Sequence, residues 1–392
     1  MDGGFQFNAI SVFAGCGGSS LGYTWAGGKV LLAIDHDADA VATYRANFID
    51  TPVYHGDIAD LGVEECCRLA GIRPGDLDIL DGSPPCQGFS LIGTRRFLDP
   101  RNQLFLEFVR LLRGLQPKAF VMENVRGMVA ADMRLIFADC LERLKAAGYR
   151  VRARLLNTKY FNVPQDRERI IFVGFRDDLG IEPSHPRAQS RPQSIRQVLG
   201  LVGEGGVKSN QFKSGWRSLD EPCVTIFKHP PLLSLDGVER KLTFDECTLL
   251  QGFPDDWKWP KKIQRYLGNA VPPPFMKAVA QHVKDNILAV TGGLKTRQPQ
   301  EREYSSVRHT KTSSDVEKRG DRANPAKANP RDSQIGRLPG QSGKLLPKCK
   351  VQRNRKSLKL SGTGQIDQLM PDLKGGAGGG TNNPAMAPPR SP

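Results

Sequence analysis

Over the first 175 residues, short apolar runs alternate with longer stretches in which apolar residues recur at helical spacing. The short runs predict strands at 8–13, 30–35, 77–81, 119–122 and 170–173. The longer stretches predict helices over 18–26, 38–48, 102–114 and 133–147. Strands and helices that alternate in this way are typical of βαβ units. The pattern therefore predicts an α/β fold with a doubly wound, mostly parallel sheet.

The pattern weakens from 176 to 239, where Pro, Gly, Ser and basic residues interrupt every candidate element. Helical spacing returns at 243–250 and 273–290. Beyond residue 296 there is one aromatic residue, Tyr304, with ten Pro and eleven Gly, a composition that cannot bury enough apolar surface to fold. We therefore divide the chain into an α/β part (1–175), an insertion (176–239), a return segment (240–296) and a disordered tail (297–392).

Composition excludes several classes of protein. No run approaches the roughly 18 to 20 apolar residues of a membrane span, and the first residues lack the regions of a signal peptide. The eight cysteines include no Cys-x-x-Cys pair, which argues against a zinc site and against a disulfide scaffold. We expect a protein of a reducing, cytoplasmic compartment with no membrane partner.

Charge is distributed unevenly along the chain. It carries 56 Lys and Arg against 41 Asp and Glu, a formal net charge of +15. Of these, 19 basic and eight acidic residues lie in the tail, which leaves a net of only +4 for the other 296 residues. A basic chain points to a nucleic acid partner. Since most of the excess is in the tail, we expect the tail to act as a salt-sensitive tether.

A glycine-rich turn, Phe13-Ala14-Gly15-Cys16-Gly17-Gly18, follows the first predicted strand and opens a helix. Glycines let a backbone approach a ligand closely, and the helix N-terminus offers free N–H groups. Asp35 ends the second strand, where a carboxylate can accept two ribose hydroxyls, and Asp57 could hold an adenine amino group. A tight turn beside two solvated aspartates is the plain alternative. Because both carboxylates lie at strand ends, we favour an adenosine-type cofactor.

Cys86 lies in a polar loop after the strand at 77–81 and directly follows two prolines in the sequence. Prolines fix the backbone and hold the sulfur in place, which suits a nucleophile. A lone cysteine is otherwise a small buried hydrophobe. That second description fits the cysteines in or beside predicted helices, Cys66, Cys67, Cys140 and Cys247.

Two more charged motifs follow. Glu123 comes at the end of the strand at 119–122, so its carboxylate should point into the same crevice as Cys86. Arg167 and Arg169 precede the strand at 170–173, and in an extended segment alternate residues face one way. A surface glutamate and a charged strand start are the alternatives.

Together these motifs resemble those of the cytosine-5 DNA methyltransferase family of bacterial restriction–modification systems. The resemblance covers about residues 8–290 and leaves only the tail outside. Six motifs match in order, from the cofactor motif through the catalytic ones to the last motif: 13–18, Pro84-Pro85-Cys86-Gln87, Glu123-Asn124-Val125, Gln165-x-Arg167-x-Arg169, 243–254 and 268–273.

The resemblance implies a class I methyltransferase fold, which is Rossmann-like, with S-adenosyl-L-methionine as cofactor and no metal. It implies that Cys86 attacks carbon 6 of a flipped-out cytosine while Glu123 holds or protonates ring nitrogen 3. Arg167 and Arg169 would stabilise the developing charge and help lower the thiol pKa. The residues that it places around the cofactor are Phe13, Ala14, Gly15, Gly17, Asp35, His36, Asp57, Ile58, Pro84, Leu104, Asn269 and Val271.

Two positions depart from the family pattern. The family often has an acidic residue two positions before the Phe of its first motif, where this chain has Ser11. We expect that change to loosen a contact behind the cofactor pocket. His36 stands where an aromatic residue often covers the adenine, and it stacks less well.

The resemblance also implies double-stranded DNA as the partner, and it makes the insertion a target-recognition region. Phosphate contacts position a protein without specifying a sequence, so the target does not follow; an insertion this short suggests about four to six base pairs. We expect a monomer in a bacterial cytoplasm, associated with the nucleoid through DNA and paired in a restriction–modification system with a cognate endonuclease. The candidate DNA contacts are Gln87, Ser90, Arg217, Thr225 and Lys228.

Three other functions compete. The tRNA-directed branch of the same family has a similar length without this tail, although Gln87-Gly88-Phe89-Ser90 reads as in the DNA enzymes. A catalytically silent DNA-binding protein would have no need of Cys86, Glu123 and Arg169 together. A nicotinamide dehydrogenase explains Gly15 and Asp35 but leaves the Pro-Pro-Cys loop without a role.

Overall fold

A seven-stranded sheet forms the centre of the α/β part. The computed structural model describes residues 6–85, 100–130, 133–211 and 215–291. The strands of this sheet are β1 (Phe7–Val12), β2 (Gly28–Asp35), β3 (Val53–His55), β4 (Ile79–Gly82), β5 (Ala119–Val125), β6 (Tyr149–Asn157) and β8 (Glu168–Arg176), and the two-residue β7 (Gln165–Asp166) precedes β8.

The strands lie in the order β3-β2-β1-β4-β5-β8-β6. Pairing is parallel from β3 through β5, and β8 runs antiparallel to both of its neighbours. The chain runs outwards from β1 to β3 and then crosses to β4 on the other side of β1. Ligands bind beyond the carboxyl ends of strands at such a reversal. The predicted doubly wound, mostly parallel sheet is confirmed.

Helices connect the strands where the spacing of apolar residues predicted them. The sequence analysis gave no bounds for α3, which contains Cys66 and Cys67, or for the short helices α6 and α8. In the described part of the chain the α-helices are α1 (Gly18–Trp25), α2 (Ala38–Asn47), α3 (Val63–Ala70), α4 (Pro100–Leu115), α5 (Arg134–Lys145), α6 (Ile195–Leu199), α7 (Phe244–Leu250), α8 (Gln264–Asn269) and α9 (Pro273–Thr291).

The return segment packs against the α/β part through α9. Gly22 of α1 lies so close to α9 that an added Cβ would stand 2.7 Å from Met276 Cβ and 2.8 Å from the Lys277 nitrogen. Apolar residues of α9 share one buried cluster with residues of β1, β5 and β8. The last long helix therefore belongs to the same core as the first strand.

The insertion contains most of a small antiparallel sheet, which the weak sequence pattern did not predict. Its strands are β9 (Gly205–Lys208), β10 (Arg217–Ser218), β12 (Leu232–Leu235) and β13 (Val238–Lys241), in the order β10-β9-β12-β13. β11 (Cys223–Val224) instead pairs in parallel with β7. Because β7 directly precedes β8, this pairing joins the insertion to the start of a central strand.

Several predicted features fall outside the described residues. They are Cys86, Gln87 and Ser90 of the Pro-Pro-Cys loop, and the tail from 297 to 392. Among the helices that the structure does describe, none is long and apolar enough to cross a membrane.

Candidate active site

The glycine-rich turn between β1 and α1 is built from left-handed backbone. Phe13, Gly15 and Gly17 have φ values of 57°, 56° and 90°, a region that costs a residue with a side chain about 1–2 kcal/mol. A Cβ at Gly17 would lie 2.6 Å from Phe48 Cε2, whereas a Cβ at Gly15 would meet nothing within 4 Å. Gly17 is thus required by packing, and Gly15 faces open space in which a ligand can approach the backbone.

Asp35 ties this turn to the end of β2. Its Oδ2 accepts a hydrogen bond from the Gly15 nitrogen at 2.8 Å, and its Oδ1 accepts one from the Asp37 nitrogen at 2.9 Å. A carboxylate oxygen has two lone pairs, so Asp35 keeps acceptor capacity for further donors. His36 is its neighbour, with 76% of its side chain exposed. The predicted pair of turn and carboxylate is therefore brought together.

Asp57 and Ile58 follow β3 at the same edge of the sheet. The Gly56 nitrogen donates to the Asp35 carbonyl at 3.1 Å, which places this segment beside the end of β2. Asp57 is exposed and Ile58 is buried. Arg110 of α4 donates to the Ile58 carbonyl at 2.9 Å, and α4 also carries the half-buried Leu104.

The return segment borders the turn from the other side. The Val271 carbonyl lies against Gly18, so closely that no Cβ could be added there. The Tyr266 hydroxyl donates to Asp37 Oδ1 at 2.6 Å, which connects α8 to the residues after β2. The buried Val271 thus lies beside the glycine-rich turn, and Asn269, two residues before it, is the exposed last residue of α8.

The strand that leads to Cys86 is held by its neighbour β5. Asn124 Nδ2 donates to the carbonyl of the buried Pro84 at 2.9 Å. Asn124 Oδ1 in turn accepts from the Val125 nitrogen at 2.9 Å. The proline that precedes the predicted nucleophile by two positions is therefore fixed to the carboxyl end of β5.

Glu123 and Arg169 form a buried ion pair at the same edge. Arg169 Nε donates to Glu123 Oε1 at 2.7 Å, and each side chain is 9% exposed. Burial lowers the pKa of Arg169, and the adjacent Glu123 charge opposes that shift. An arginine stays charged even so. The pair is therefore a carboxylate held in place by a cationic partner. Such a carboxylate is suited to bind or transfer a proton at a fixed position.

Arg167 has different partners. It is 1% exposed and donates to the carbonyls of Ile226, Gly268 and Ala270 at 3.0, 2.9 and 3.3 Å. The expectation that Arg167 and Arg169 face one way assumed a continuous strand. The strand is interrupted between β7 and β8, at Arg167 itself, so alternation does not hold there. Its guanidinium joins the insertion to the return segment.

Two of the predicted DNA contacts are engaged within the protein. Arg217 Nη1 pairs with Asp166 Oδ2 at 3.0 Å, and Thr225 Oγ1 donates to the Asp166 carbonyl at 2.8 Å. Both contacts hold the insertion to β7. Lys228 is exposed.

Gln165 and Gln251 are site-supporting residues that the sequence analysis did not single out. Gln165 Nε2 donates to Gln251 Oε1 at 2.6 Å, and Gln165 Oε1 accepts from the Ile226 nitrogen at 3.1 Å. Gln251 Nε2 donates to the Ala270 carbonyl at 2.8 Å. Both glutamines lie inside motifs that match the family, and this position in a motif was the sequence signal that could have identified them.

Asp81 is a third such residue. It lies in β4 opposite Ser11 of β1 and accepts hydrogen bonds from Ser11 Oγ at 2.9 Å, Ser19 Oγ at 2.7 Å and the Tyr23 hydroxyl at 3.3 Å. Burial raises its pKa to about 6. Ser11, which we expected to loosen a contact behind the cofactor pocket, thus donates to a carboxylate on the neighbouring strand.

The described cysteines are all buried, namely Cys16, Cys66, Cys67, Cys140, Cys223 and Cys247. Burial raises the thiol pKa of Cys16, Cys66 and Cys247 to about 12. Such thiols are inert as nucleophiles near neutral pH. No group of three His, Cys, Asp or Glu side chains in the described residues could hold a metal ion.

Comparison with known proteins agrees with this geometry. The profile of the family described as C-5 cytosine-specific DNA methylase matches residues 7–221 and 209–285. Type II methyltransferase M1.HphI of Haemophilus parahaemolyticus is 34% identical over 321 residues, which cover 70% of this chain and 86% of that protein. Type II methyltransferase M.FnuDI of Fusobacterium nucleatum is 28% identical over 333 residues, or 71% and 94% of the two chains.

A solved structure shares the fold. The crystal structure of a putative DNA modification methyltransferase encoded within an Escherichia coli prophage aligns with a TM-score of 0.57 at 22% identity, over 73% of this chain and 99% of that one. At this identity the likeness bears on the fold, which is Rossmann-like. The chain belongs to the C-5 cytosine-specific DNA methylase family and is a DNA (cytosine-5-)-methyltransferase.

Proposed function

We propose that this enzyme transfers a methyl group from S-adenosyl-L-methionine to carbon 5 of a cytosine within a specific short duplex sequence, through a covalent adduct on Cys86. The observation that carries the proposal is the buried Glu123–Arg169 pair, which lies at the same sheet edge as the anchored Pro84 and the glycine-rich turn. Three features therefore lie at one edge of the sheet: an acid–base group, the segment that leads to the nucleophile, and a turn of the kind that binds a cofactor.

The residues around the turn fit S-adenosyl-L-methionine. The space beside Gly15 admits a ligand, Asp35 keeps lone pairs for ribose hydroxyls, and the exposed carboxylate of Asp57 suits an amino group of adenine. His36, Ile58 and Leu104 supply surfaces for the base. When bound, S-adenosyl-L-methionine supplies an electrophilic methyl group.

The remaining residues around the turn complete the proposed pocket. They are Phe13, Ala14 and Gly17 from the turn itself, Pro84 from the loop, and Asn269 and Val271 from the return segment. Residues at the first and last motifs therefore close one pocket from two sides, since α8 is joined to the Asp37 segment through Tyr266.

The protein's own residues perform the steps at cytosine. The Cys86 thiolate forms a bond to carbon 6 while Glu123, after taking up a proton from solvent, donates that proton or a hydrogen bond to nitrogen 3, so that carbon 5 gains electron density. Carbon 5 accepts the methyl group with release of S-adenosyl-L-homocysteine. A base from solvent then takes the carbon 5 proton, which re-forms the 5,6 double bond and releases the thiolate, and nitrogen 3 returns any proton it received to Glu123. Arg169 holds the Glu123 carboxylate in position throughout. The target base must leave the duplex for these contacts to form.

We assign target recognition to the small sheet β10-β9-β12-β13 of the insertion. Arg217 of β10 and the nearby Thr225 anchor the insertion to β7, and Arg167 joins the insertion to the return segment. The exposed Lys228 is suited to a phosphate contact, and Gln87 and Ser90 are the proposed contacts from the Pro-Pro-Cys loop. The names of the two relatives support a role beside a cognate restriction endonuclease.

Bisulfite sequencing of a bacterial genome that expresses the protein tests this function. We expect modified cytosines within one common short sequence, and none with Cys86→Ala. Modified cytosines without a common sequence would contradict a sequence-specific enzyme. In a parallel transfer assay with tritiated methyl donor, a preference for tRNA over duplex DNA would favour the tRNA-directed alternative. Duplex binding with no transfer would indicate the catalytically silent one.

A further inference from the structure

Asp81 is a buried carboxylate whose hydrogen bonds come from hydroxyl groups. It is 1% exposed, and its donors are Ser11, Ser19 and Tyr23. A buried carboxylate is costly unless it is well satisfied. Hydroxyl donors satisfy it but do not neutralise its charge. A position of this kind calls for a reason other than stability.

Its three donors come from the elements that carry the cofactor turn. Ser11 is two residues before Phe13, at the end of β1, and Ser19 and Tyr23 lie in α1 directly after the turn. The carboxylate therefore holds both sides of the turn at once. The Tyr44 hydroxyl donates to Ser20 Oγ at 2.9 Å, which extends these contacts to α2.

Asp81 also lies on the strand that leads to the nucleophile. It precedes Gly82, which is packed so tightly that an added Cβ would lie 2.7 Å from Val12 Cγ2 and 2.8 Å from Phe108 Cε2. Pro84, three residues after Asp81, is anchored by Asn124. The backbone from Asp81 to Pro84 is held by these contacts. A displacement of Asp81 therefore also displaces the start of the segment that leads to Cys86.

We propose that Asp81 is a positioning residue that keeps the cofactor turn and the strand leading to Cys86 in register, an inference that rests on the proposed function. Methyl transfer needs donor and acceptor atoms aligned within a fraction of an ångström, and a misplacement of about 1 Å can cost about 100-fold in rate. One carboxylate that is bonded to β1 and α1 from β4 provides that alignment.

The pairing of Ser11 with Asp81 makes the inference specific. The two residues are direct partners across parallel strands, and Ser11 Oγ already contacts the carboxylate. A carboxylate carried by residue 11 could therefore reach the same hydroxyls, with a serine at residue 81 as its partner. The exchanged pair, Ser11→Asp with Asp81→Ser, should restore what Asp81→Ser alone removes.

The test compares Asp81→Asn, Asp81→Ser and the exchanged double variant in the full-length enzyme, each with kcat, KM for S-adenosyl-L-methionine, duplex affinity and Tm. Asp78→Asn is the matched control. Asp78 is a buried aspartate just before the same strand, bonded to Asn8 and Lys118 at the opposite, amino-terminal end. We expect Asp78→Asn to lower Tm and to leave kcat/KM within about threefold of wild type.

For Asp81→Asn and Asp81→Ser we expect kcat/KM for S-adenosyl-L-methionine to fall by about 10- to 100-fold. Duplex affinity should stay within about twofold, and the exchanged pair should recover most of the loss. The inference would be overturned if kcat/KM fell no further in the Asp81 variants than in Asp78→Asn. It would also be overturned if kcat/KM of the exchanged pair were as low as that of Asp81→Ser. Wild-type enzyme that transfers no methyl to cytosine would instead refute the proposed function itself.

Discussion

Replacing Arg167 by Met separates a structural role of this arginine from a catalytic one. The guanidinium donates to three buried carbonyls, those of Ile226, Gly268 and Ala270, and Met fills a similar volume without donors. The Ala270 carbonyl keeps Gln251 as a donor, so two carbonyls lose their partner at about 1–3 kcal/mol each, hence about 2–6 kcal/mol in all. The variant no longer buries a charge, which relieves several kcal/mol. We expect a net loss of about 2 kcal/mol.

Thermal unfolding followed by tryptophan fluorescence measures this loss. About 2 kcal/mol corresponds to a fall in Tm of about 4–8 °C for a domain of 150–250 residues. Arg143→Met is the control, because Arg143 is an exposed arginine paired with Asp139 on its own helix, and it should shift Tm by less than about 2 °C. An unchanged Tm with kcat reduced about 1,000-fold would refute the reasoning and make Arg167 a catalytic group.

Three further predictions follow from the same geometry. Gly15→Ala should raise KM for S-adenosyl-L-methionine, because its Cβ enters the open space beside the turn, and should lower Tm only through strain of about 1–2 kcal/mol at a φ of 56°. Gly17→Ala adds a clash of its Cβ with Phe48 to strain of the same kind, so it should lower Tm further; equal effects of the two substitutions on KM and on Tm would contradict this. The pKa of Asp81 is raised to about 6 in the folded protein, above about 3.9 in the unfolded chain, so the native state binds the proton more tightly. Relative to Asp81→Asn, wild type should gain about 2 kcal/mol of unfolding free energy as the pH falls from 7 to 4. If urea unfolding shows that the free energies of unfolding of the two proteins change equally with pH over this range, that is ruled out. Deletion of 297–392 removes a net charge of +11 and should weaken duplex affinity at moderate salt without changing which sequences are methylated; bisulfite sequencing that finds a different target would show the tail to be more than a tether.

Local patterns predicted the elements that carry their own signals. Helical spacing over 243–250 predicted α7, and in the structure a capping box begins that helix, with Glu246 N donating to Thr243 Oγ1 at 3.1 Å. Asp35 follows an apolar run, and its carboxylate accepts from Gly15 as a ligand-binding turn requires. In both cases neighbours along the chain determine the geometry.

Features that depend on distant partners could not be predicted in this way. Arg167 contacts carbonyls about 60 to 100 residues away along the chain, and no spacing rule indicates that its strand is interrupted. The carboxylate expected at Ser11 lies instead on β4, 70 residues further along. Only the order of the strands in the sheet shows that Ser11 and Asp81 are neighbours.

The insertion shows the same limit. Its strands are two to four residues long, too short for a period of two to stand out from the surrounding Pro and Gly. Their stability comes from pairing and from a shared cluster in which Val207, Leu219 and Leu233 pack with Leu250 of α7. Tertiary contacts therefore define this sheet.

Covalent trapping tests the central claim most directly. The purified enzyme is incubated with S-adenosyl-L-methionine and duplex DNA in which the target cytosine carries fluorine at carbon 5, so that the final loss of a proton cannot occur. We predict a stable protein–DNA adduct that mass spectrometry maps to the peptide containing Cys86, and no adduct with Cys86→Ala. An adduct on any other residue, or none with a duplex that the enzyme methylates in its unfluorinated form, would contradict Cys86 as the nucleophile.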